Sequence, residues 1–354
     1  MKFVPHNYQR YCINRMITDP VLGLFLDMGL GKTVITLTAV NDLRFNRFAV
    51  RKVLVIAPKK VAEDTWTRES QKWDHLKMLR VIPVLGSIKQ RIRAINTPGD
   101  IWVLSRDNVS WLVDYYKNDW PFDMVIIDEL SSFKSNKAKR FRKLKSVRSH
   151  IHRIVGLTGT PTPNGLEDLW AQIYLLDEGE RLGKTLTGYR DNYFTPGARN
   201  GNVIYEYNPR TWADEEINER IKDICISMKA EDYLELPERI DNVRHIKLPD
   251  KAKKQYEELE KTMIADIDGE TIDVTSAAAL SNKLLQLCNG AVYDADGIYH
   301  EVHDEKIEAL KEIIDANAGK GILVFYNFKH DKARIQKALK KLSLIHISEP
   351  TRLR

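Results

Sequence analysis

LFLDMGLGKT occupies residues 24–33, where a short apolar run leads into two glycines and a Lys-Thr pair. The residues that follow, VITLTAVNDLRF, place apolar side chains at mixed helical spacing, so the local order is strand, glycine loop, helix. Gly29 and Gly31 let backbone N–H groups approach phosphates closely, and the N-terminus of a helix adds a favourable dipole. The stretch therefore predicts a nucleotide phosphate-binding loop, in which Lys32 reaches the β- and γ-phosphates and Thr33 binds Mg²⁺.

The stretch FDMVIIDELSSFKS, residues 122–135, supplies the carboxylates that a phosphate-binding loop requires. Its residues 124–127 form a continuous apolar run, as expected of a parallel strand that is buried on both faces. The run ends in Asp128 and Glu129. We expect Asp128 to hold Mg²⁺ directly or through water, and Glu129 to polarise the attacking water. Adjacent carboxylates at the end of a strand therefore predict a metal-assisted in-line displacement.

Further short apolar stretches predict the remaining strands of one doubly wound parallel sheet in an α/β fold. They are KVLVIAP at residues 52–58, IWVLS at 101–105 and RIVGLTGTP at 153–161. Ligands of such sheets bind beyond the carboxyl ends of the strands, so the loops that follow these strands are expected to line one face. A second GKT, residues 183–185, follows the acidic LLDEGERL, and we do not expect it to bind a nucleotide because no buried strand precedes it.

The composition is typical of a soluble globular protein. The 354 residues, 43% hydrophobic and 29% charged, suffice for two ordinary domains. No apolar run reaches the roughly 18 residues of a membrane span, and MKFVPHNYQR lacks the apolar core of a secretory signal. Cys12, Cys225 and Cys288 are far apart, which argues against a disulfide framework and favours a reducing cytoplasm. A net charge of +6 permits a polyanionic partner without demanding one.

The order of the motifs resembles that of a known family. PHNYQ, DMGLGKT, VLVIAPKKV, VIIDEL and GLTGTPTPNGLEDLW resemble, in this order, the helicase motifs of superfamily two. The match is closest to the Swi/Snf-type family of double-stranded DNA translocases. The stretch YLELPERIDNVRHIKLPDKAKKQYEEL resembles the linker of that family. The resemblance runs from about residue 5 to about residue 341. It implies RecA-like lobes, ATP and Mg²⁺ as cofactors, and action on duplex DNA without sequence preference.

The resemblance also implies roles for single residues. Gln9 resembles the glutamine that reads the adenine edge of ATP. The segment that couples nucleotide state to DNA contact corresponds to Thr158, Gly159 and Thr160. In the family, DNA-facing loops occur where this chain has Lys59, Lys60 and Ser105.

A strongly basic stretch, KSNKAKRFRKLKSVRSHIHR at residues 134–153, follows the acidic motif. Phe141, Leu144 and Val147 recur every three residues, which predicts a helix with one buried stripe. Lys134 and the cations on the outer face are expected to contact DNA phosphates without reading sequence. A helix whose charged face is only solvated remains the alternative, because charge alone does not locate a DNA contact.

The chain departs from the family pattern at two motifs. The acidic motif reads DELS, whereas most relatives carry His as its last residue, so a coupling contact is either lost or supplied by Ser131. Leu26 and Asp27 stand where an Asp-Glu pair is common in the family. Both features resemble the compact phage and bacterial members more than the eukaryotic remodellers.

The motifs divide the chain into four predicted segments. Residues 1–178 form the first RecA-like ATP-binding lobe, 179–236 a family-type protruding insertion, 237–342 a partial second RecA-like lobe, and 343–354 a non-native tail. The tail, SLIHISEPTRLR, resembles translated sequencing-adapter sequence. Within the insertion, an Asn-Gly between β-type runs predicts a hairpin in residues 195–212. Within the second lobe, residues 241–248 and 321–328 are expected to be strands.

These features together predict an ATP-dependent, helicase-like translocase. Mg-ATP hydrolysis, carried by Lys32 and Glu129, would drive movement on duplex DNA. We expect this polypeptide to bind ATP but to hydrolyse it slowly, because it contains no counterpart of the family's arginine finger. A nucleotide- and DNA-binding module without motor activity and an RNA-dependent helicase are the two alternatives. The cytoplasm of a bacterium or a phage-infected host is the expected location.

Overall fold

The computed structural model describes residues 1–200, 203–234, 240–267, 269–273, 276–317 and 320–340. The chain divides into two compact units, Met1–Pro237 and Glu238–Arg354. The predicted tail at 343–354 lies outside the described residues. In the described ranges, no helix is both long enough and apolar enough to cross a membrane.

The first unit is built on a seven-stranded parallel sheet. Seven strands form this sheet: β1 (Val21–Leu26), β2 (Val53–Ala57), β3 (Val81–Val84), β4 (Ile101–Ser105), β5 (Met124–Asp128), β6 (Arg153–Thr158) and β11 (Cys225–Met228). The described part of the unit also has β7 (Phe194–Pro196), β8 (Arg199–Asn200), β9 (Val203–Ile204) and β10 (Tyr207–Pro209), which lie outside the sheet. The sheet has the order β11-β1-β6-β5-β2-β4-β3, and every neighbouring pair in it is parallel. The predicted doubly wound α/β fold is confirmed.

Helices cover both faces of this sheet. They are α1 (Asn7–Thr18), α2 (Lys32–Asn41), α3 (Trp66–Lys72), α4 (Ile88–Ile95), α5 (Val109–Tyr116), α6 (Lys139–Ser146), α7 (Leu169–Asp177), α8 (Leu186–Tyr193) and α9 (Ala213–Ile221). Successive residues of a strand point to opposite faces. Thus Met124 and Ile126 of β5 belong to the core that α1, α2 and α3 cover, whereas Val125 and Ile127 belong to the core on the other face. Burial on both faces explains why the strands are continuous apolar runs.

The segment after residue 178 contributes to both the sheet and its surroundings. Strand β11 pairs with β1 at the edge of the sheet, next to the phosphate-binding loop. The predicted hairpin is present, since β7 pairs with β10 and β8 with β9, whereas residues 201–202 lie outside the described residues. The predicted lobe boundaries stay predictions, and the structure adds that an edge strand of the first sheet comes from residues 225–228.

The second unit consists of four helices and two hairpins in its described part. The helices are α10 (Asp250–Thr262), α11 (Ala277–Cys288), α12 (Glu305–Ala316) and α13 (Lys329–Ala338), and the strands are β12 (Ile264–Ile267), β13 (Glu270–Asp273), β14 (Ala291–Tyr293) and β15 (Tyr299–Glu301). Strand β12 pairs with β13 and β14 with β15, both antiparallel. Leu259, Ile267, Ile272, Leu287 and Val292 form its small apolar core.

Two strand predictions in this unit are wrong. Residues 241–248 and 321–328 carry β-type apolar patterns, but the structure assigns no strand to either stretch. Val243 is 74% exposed and Phe325 is 86% exposed. A strand is stable only when neighbours accept its backbone hydrogen bonds. Among the described residues of this unit, the only strand pairs are the two hairpins, so the pattern has no sheet to join.

Candidate nucleotide-binding site

The phosphate-binding loop connects β1 to the first turn of α2. Gly29 has φ 87° and Gly31 has φ 82°, a left-handed backbone that glycine adopts without steric cost. Gly31 is the N-cap of α2, so the helix and its unpaired N–H groups begin at Lys32. A Cβ on Gly31 would lie 2.8 Å from Nε2 of Gln9. The two glycines are therefore required by the shape of the loop and by the closeness of its neighbours.

The side chain of Lys32 folds back over its own loop. Its Nζ donates hydrogen bonds to the carbonyl oxygens of Leu26 at 2.6 Å and Asp27 at 3.1 Å. Burial lowers the pKa of the Lys32 ammonium, and the nearby charges of Asp128 and Glu129 partly oppose this shift. The ammonium is thus poorly hydrated and held by neutral carbonyl groups, which phosphate oxygens can replace with stronger charge-assisted bonds.

Asp128 is the last residue of β5, and its Oδ2 accepts a hydrogen bond of 2.9 Å from Nε1 of Trp66. Burial raises the pKa of the Asp128 carboxyl, and the Glu129 charge adds to the shift, while Trp66 and Lys32 oppose it. A desolvated carboxylate gains when a cation binds it. Thr33 lies in the first turn of α2, and its hydroxyl and the Asp128 carboxylate are the two oxygen ligands predicted for Mg²⁺. Mg²⁺ favours such sets, because it retains waters and substrate phosphates as its other ligands.

Glu129 adopts a strained backbone immediately after β5. Its φ of 64° and ψ of 65° lie in the left-handed region, which costs a residue with a Cβ roughly 1–2 kcal/mol. The hydroxyl groups of Ser131 and Thr158 both donate to its Oε1, the latter at 3.0 Å. Ser131 therefore contacts Glu129 within the acidic motif itself, and its supply of the coupling contact stays a prediction. Strain of this kind is concentrated at functional sites.

Thr158 and Gly159 bring the end of β6 against the phosphate-binding loop. Thr158 is fully buried, and its Oγ1 also accepts a hydrogen bond of 3.1 Å from the backbone N–H of Thr160. A Cβ on Gly159 would lie 3.3 Å from the carbonyl oxygen of Leu26 and 3.8 Å from Nζ of Lys32. The predicted coupling segment thus touches both Glu129 and the loop that carries Lys32.

Gln9 contacts the phosphate-binding loop through its side-chain amide. It lies in α1 and is 7% exposed. Its Oε1 accepts a hydrogen bond of 3.0 Å from the backbone N–H of His6, and its Nε2 donates one of 3.3 Å to the carbonyl oxygen of Leu30. The predicted adenine-reading residue and the phosphate-binding loop are therefore directly linked.

Comparison with protein-family models matches residues 8–291 to the SNF2-related domain. The chain belongs to the SNF2-related family. The chain is 37% identical over 346 residues to protein p41 of Acyrthosiphon pisum secondary endosymbiont phage 1. This alignment covers 96% of the chain and 75% of p41. The DNA annealing helicase and endonuclease ZRANB3 of Bos taurus is 29% identical over 263 residues. That match covers 69% of this chain but 23% of the bovine protein.

A solved structure of this family has the same fold. The Sulfolobus solfataricus SWI2/SNF2 ATPase core, in a structure of its complex with dsDNA, aligns with a TM-score of 0.56 at 22% identity. The alignment covers 96% of this chain and 70% of that core. At this level of identity the likeness describes the fold alone.

Two contacts of this SNF2-related site are not evident from the sequence. One joins Trp66 to Asp128, and the other joins Oδ2 of Asp27 to the backbone N–H of Ala230 at 2.9 Å. Tyr233 packs on Tyr8 with a ring-centroid distance of 4.9 Å, close to Gln9. No sequence motif indicates these pairs, because the two residues of each pair are far apart in the chain and meet only when it folds.

The predicted DNA-contact residues are placed unequally. Lys59 is exposed and lies 3.9 Å from Glu63, and Lys60 is also exposed. Ser105 is 3% exposed at the end of β4, so very little of the residue is accessible. Lys134 lies 3.3 Å from Asp168. These assignments stay predictions, with Ser105 the least accessible of the four.

The second GKT differs in structure from the phosphate-binding loop. Residues 183–185 follow α7 rather than a strand, and Nζ of Lys184 donates to the carbonyl oxygen of Glu178 at 2.8 Å. Thr185 is the N-cap of α8, where its hydroxyl accepts from the backbone N–H of Gly188. In the SNF2-related chain, this motif therefore caps a helix.

Proposed function

We propose that this chain binds Mg-ATP, hydrolyses it slowly, and is part of the motor of an ATP-dependent translocase that acts on duplex DNA. The observation that carries the proposal is the meeting of three strand ends. Lys32 follows β1, Thr158 ends β6, Asp128 ends β5 and Glu129 comes directly after it. These three strands are adjacent in the sheet. Ligands of doubly wound sheets bind at such carboxyl ends.

Each residue of the site has a role that its position supports. The loop at Gly29 and Gly31 receives the phosphates through backbone N–H groups, and Lys32 exchanges its carbonyl contacts for phosphate oxygens. Thr33 and Asp128 would hold Mg²⁺, which neutralises charge on the transferred phosphoryl group. Glu129, fixed by two hydroxyl groups, orients the attacking water and accepts its proton.

Duplex DNA is the proposed partner for two reasons. A solved relative is an ATPase core in complex with dsDNA, and ZRANB3 is a DNA annealing helicase. Helix α6 also presents exposed cations, such as Lys139 and Arg142, on the side opposite its buried Phe141 and Leu144. Such cations contact phosphates without reading sequence. The likeness to a phage protein supports activity in a bacterial or phage-infected cytoplasm.

Nucleotide binding is tested by titrating the chain with ATP in the presence of Mg²⁺. Lys32→Ala is expected to weaken binding by roughly 10- to 100-fold, because a hydrogen bond to a charged group contributes about 1.5–3 kcal/mol. Lys184→Ala, in the second GKT, is the matched control and is expected to bind normally. Equal affinities of the two variants would contradict the proposed site.

The preferred nucleic acid and the ATPase activity are tested in separate experiments. Duplex DNA, single-stranded DNA and RNA of equal length are compared for binding, and preference for the duplex is expected. A preference for RNA would favour the RNA-dependent helicase. Steady ATP turnover, measured with and without duplex DNA, tests the prediction that this polypeptide hydrolyses ATP slowly. If a full-length relative binds both nucleotide and DNA but shows no ATP turnover, the result would favour a binding module.

A further inference from the structure

The indole of Trp66 makes its one hydrogen bond to the metal-site carboxylate. Indole has a single donor, Nε1–H, and in Trp66 this group donates to Oδ2 of Asp128 at 2.9 Å. Trp66 is fully buried. A buried indole usually finds a hydrogen-bond partner, and here the partner is the carboxylate with the raised pKa at the end of β5.

The strand geometry explains why these two side chains meet. Alternation along β5 directs Asp128 to the same face as Met124 and Ile126. Both residues share a core with Trp66. Trp66 begins α3 directly after a π-helical turn, Val61–Thr65, in the connection that leaves β2, the neighbour of β5. Such turns are rare and occur often at functional sites.

We propose that Trp66 is a positioning residue for Asp128, which it holds in the orientation that receives Mg²⁺. The inference rests on the proposed Mg-ATP function. The indole N–H occupies one acceptor direction of Oδ2, so rotation of the carboxylate would break this bond and leave a buried donor unpaired. Metal-ligating carboxylates are commonly held by hydrogen bonds of this kind, and loss of such a partner typically costs 10- to 100-fold in metal affinity.

An indole suits this position because it is neutral. Lysine or arginine in its place would cancel the carboxylate charge and compete with the cation. Trp66 instead donates a hydrogen bond and leaves the negative charge available. Trp66 is also fully buried, in the same core as Val55, Ala57 and Ala62, which limits motion of the donor.

The test compares Trp66→Phe with a matched control for the affinity of ATP in EDTA and in Mg²⁺. Trp66→Phe removes the donor and keeps an aromatic ring. We expect its affinity in EDTA to stay within about threefold of the wild-type value, and the gain in affinity from Mg²⁺ to shrink about tenfold. The control is Trp73→Phe, because Nε1 of Trp73 makes an equivalent 2.9 Å bond to Glu69. This variant is expected to keep the full Mg²⁺ effect.

A spectroscopic measurement on the wild-type chain avoids dependence on how well the variant folds. The chain has seven tryptophans, so ¹⁵N labelling of the indoles gives seven N–H signals, and Trp66→Phe identifies one of them. Mn²⁺-ATP is expected to broaden the Trp66 signal strongly and the Trp73 signal weakly. Asp128→Asn is expected to shift the Trp66 signal.

The outcomes separate the two proposals. A wild-type chain whose ATP affinity gains nothing from Mg²⁺ would overturn the proposed function together with the role of Trp66. The positioning role alone would be overturned if Mg²⁺ raised the ATP affinity of Trp66→Phe as much as that of the wild type. It would also be overturned if the variant lost equal ATP affinity in EDTA and in Mg²⁺. A Trp66 signal that Mn²⁺-ATP leaves sharp would also overturn it.

Discussion

Oγ1 of Thr158 donates a hydrogen bond of 3.0 Å to Oε1 of Glu129, which joins the last residue of β6 to the carboxylate just beyond β5. The neighbouring residue Gly159 lies close enough to Leu26 that a Cβ would meet its carbonyl oxygen at 3.3 Å. One short segment therefore contacts both Glu129, the carboxylate proposed to act on water, and the loop proposed to receive phosphates. Movement of this segment would alter both at once.

Thr158→Val tests this connection because it keeps the shape of the side chain and removes the donor to Glu129, together with the acceptor of the Thr160 N–H. Loss of the hydrogen bond to Glu129, worth about 1 kcal/mol, is expected to slow single-turnover hydrolysis roughly five- to tenfold. Affinity for Mg-ATP is expected to remain within about twofold. Radiolabelled ATP with excess protein measures the rate even when it is low. Ser131→Ala removes the other donor to the same oxygen and should have a similar effect, whereas unchanged rates in both variants would contradict the role.

Comparison of Gly31→Ala with a control glycine variant separates the effect of backbone strain on stability from a loss of ATP affinity. The control, Gly183→Ala, has a comparable φ of 90° and no neighbouring atom within 4 Å of the added Cβ. Both substitutions are expected to lower the free energy of unfolding by roughly 1–2 kcal/mol. Only Gly31→Ala also meets Gln9, so only this variant is expected to lose ATP affinity, by on the order of tenfold or more. Calorimetry of unfolding and of binding checks both statements, and a matching loss of affinity in the control would refute the distinction.

The burial of His75 leads us to expect that the stability of the fold depends on pH. Its Nε2 lies 2.9 Å from Oγ1 of Thr38 in α2, its ring stacks on Phe3, and burial lowers its pKa below the ordinary 6.5. The unfolded chain therefore binds the proton more tightly than the folded chain does. The stability linked to neutral His75 is complete above pH 6.5 and is lost as pH falls through the window below it. Melting temperatures between pH 7.5 and 5.5 should fall less steeply for His75→Gln, while the exposed His152→Gln retains the wild-type slope.

Lys139 and Arg142 predict the salt dependence of DNA binding. Each cation that neutralises a phosphate contributes about 0.9 to the slope of log K against log salt concentration. The double variant Lys139→Ala/Arg142→Ala is expected to reduce that slope by about two, equally for unrelated duplex sequences. Lys253→Ala/Lys254→Ala on α10 makes the same change of charge on another exposed helix. An unchanged slope in the first variant would show that the charged face of α6 is only solvated.

The parts of the structure that the sequence predicts are those that local pattern determines. Continuous apolar runs predict β1, β2, β4, β5 and β6, because strands buried on both faces need apolar side chains at every position. The same reasoning fails for residues 241–248 and 321–328, since a pattern expresses a preference for a strand but does not supply the partner. Trp66 is also beyond such reasoning, because its contact with Asp128 depends on how two connections of the sheet pack. The burial of Ser105 is a further consequence of packing that its family position does not reveal.

The bond between Asp27 and Ala230 has a consequence for synthesis of the chain. The two residues are 203 positions apart, and β11, which ends at Met228, borders the strand that leads into the phosphate-binding loop. At about 5–20 residues per second, a ribosome needs roughly 10–40 s to proceed from one to the other. The loop thus emerges well before β11, and it gains its edge strand and its tether only after most of the first unit has been translated. During that interval, the nascent chain exposes one open edge of its sheet beside the proposed nucleotide-binding loop.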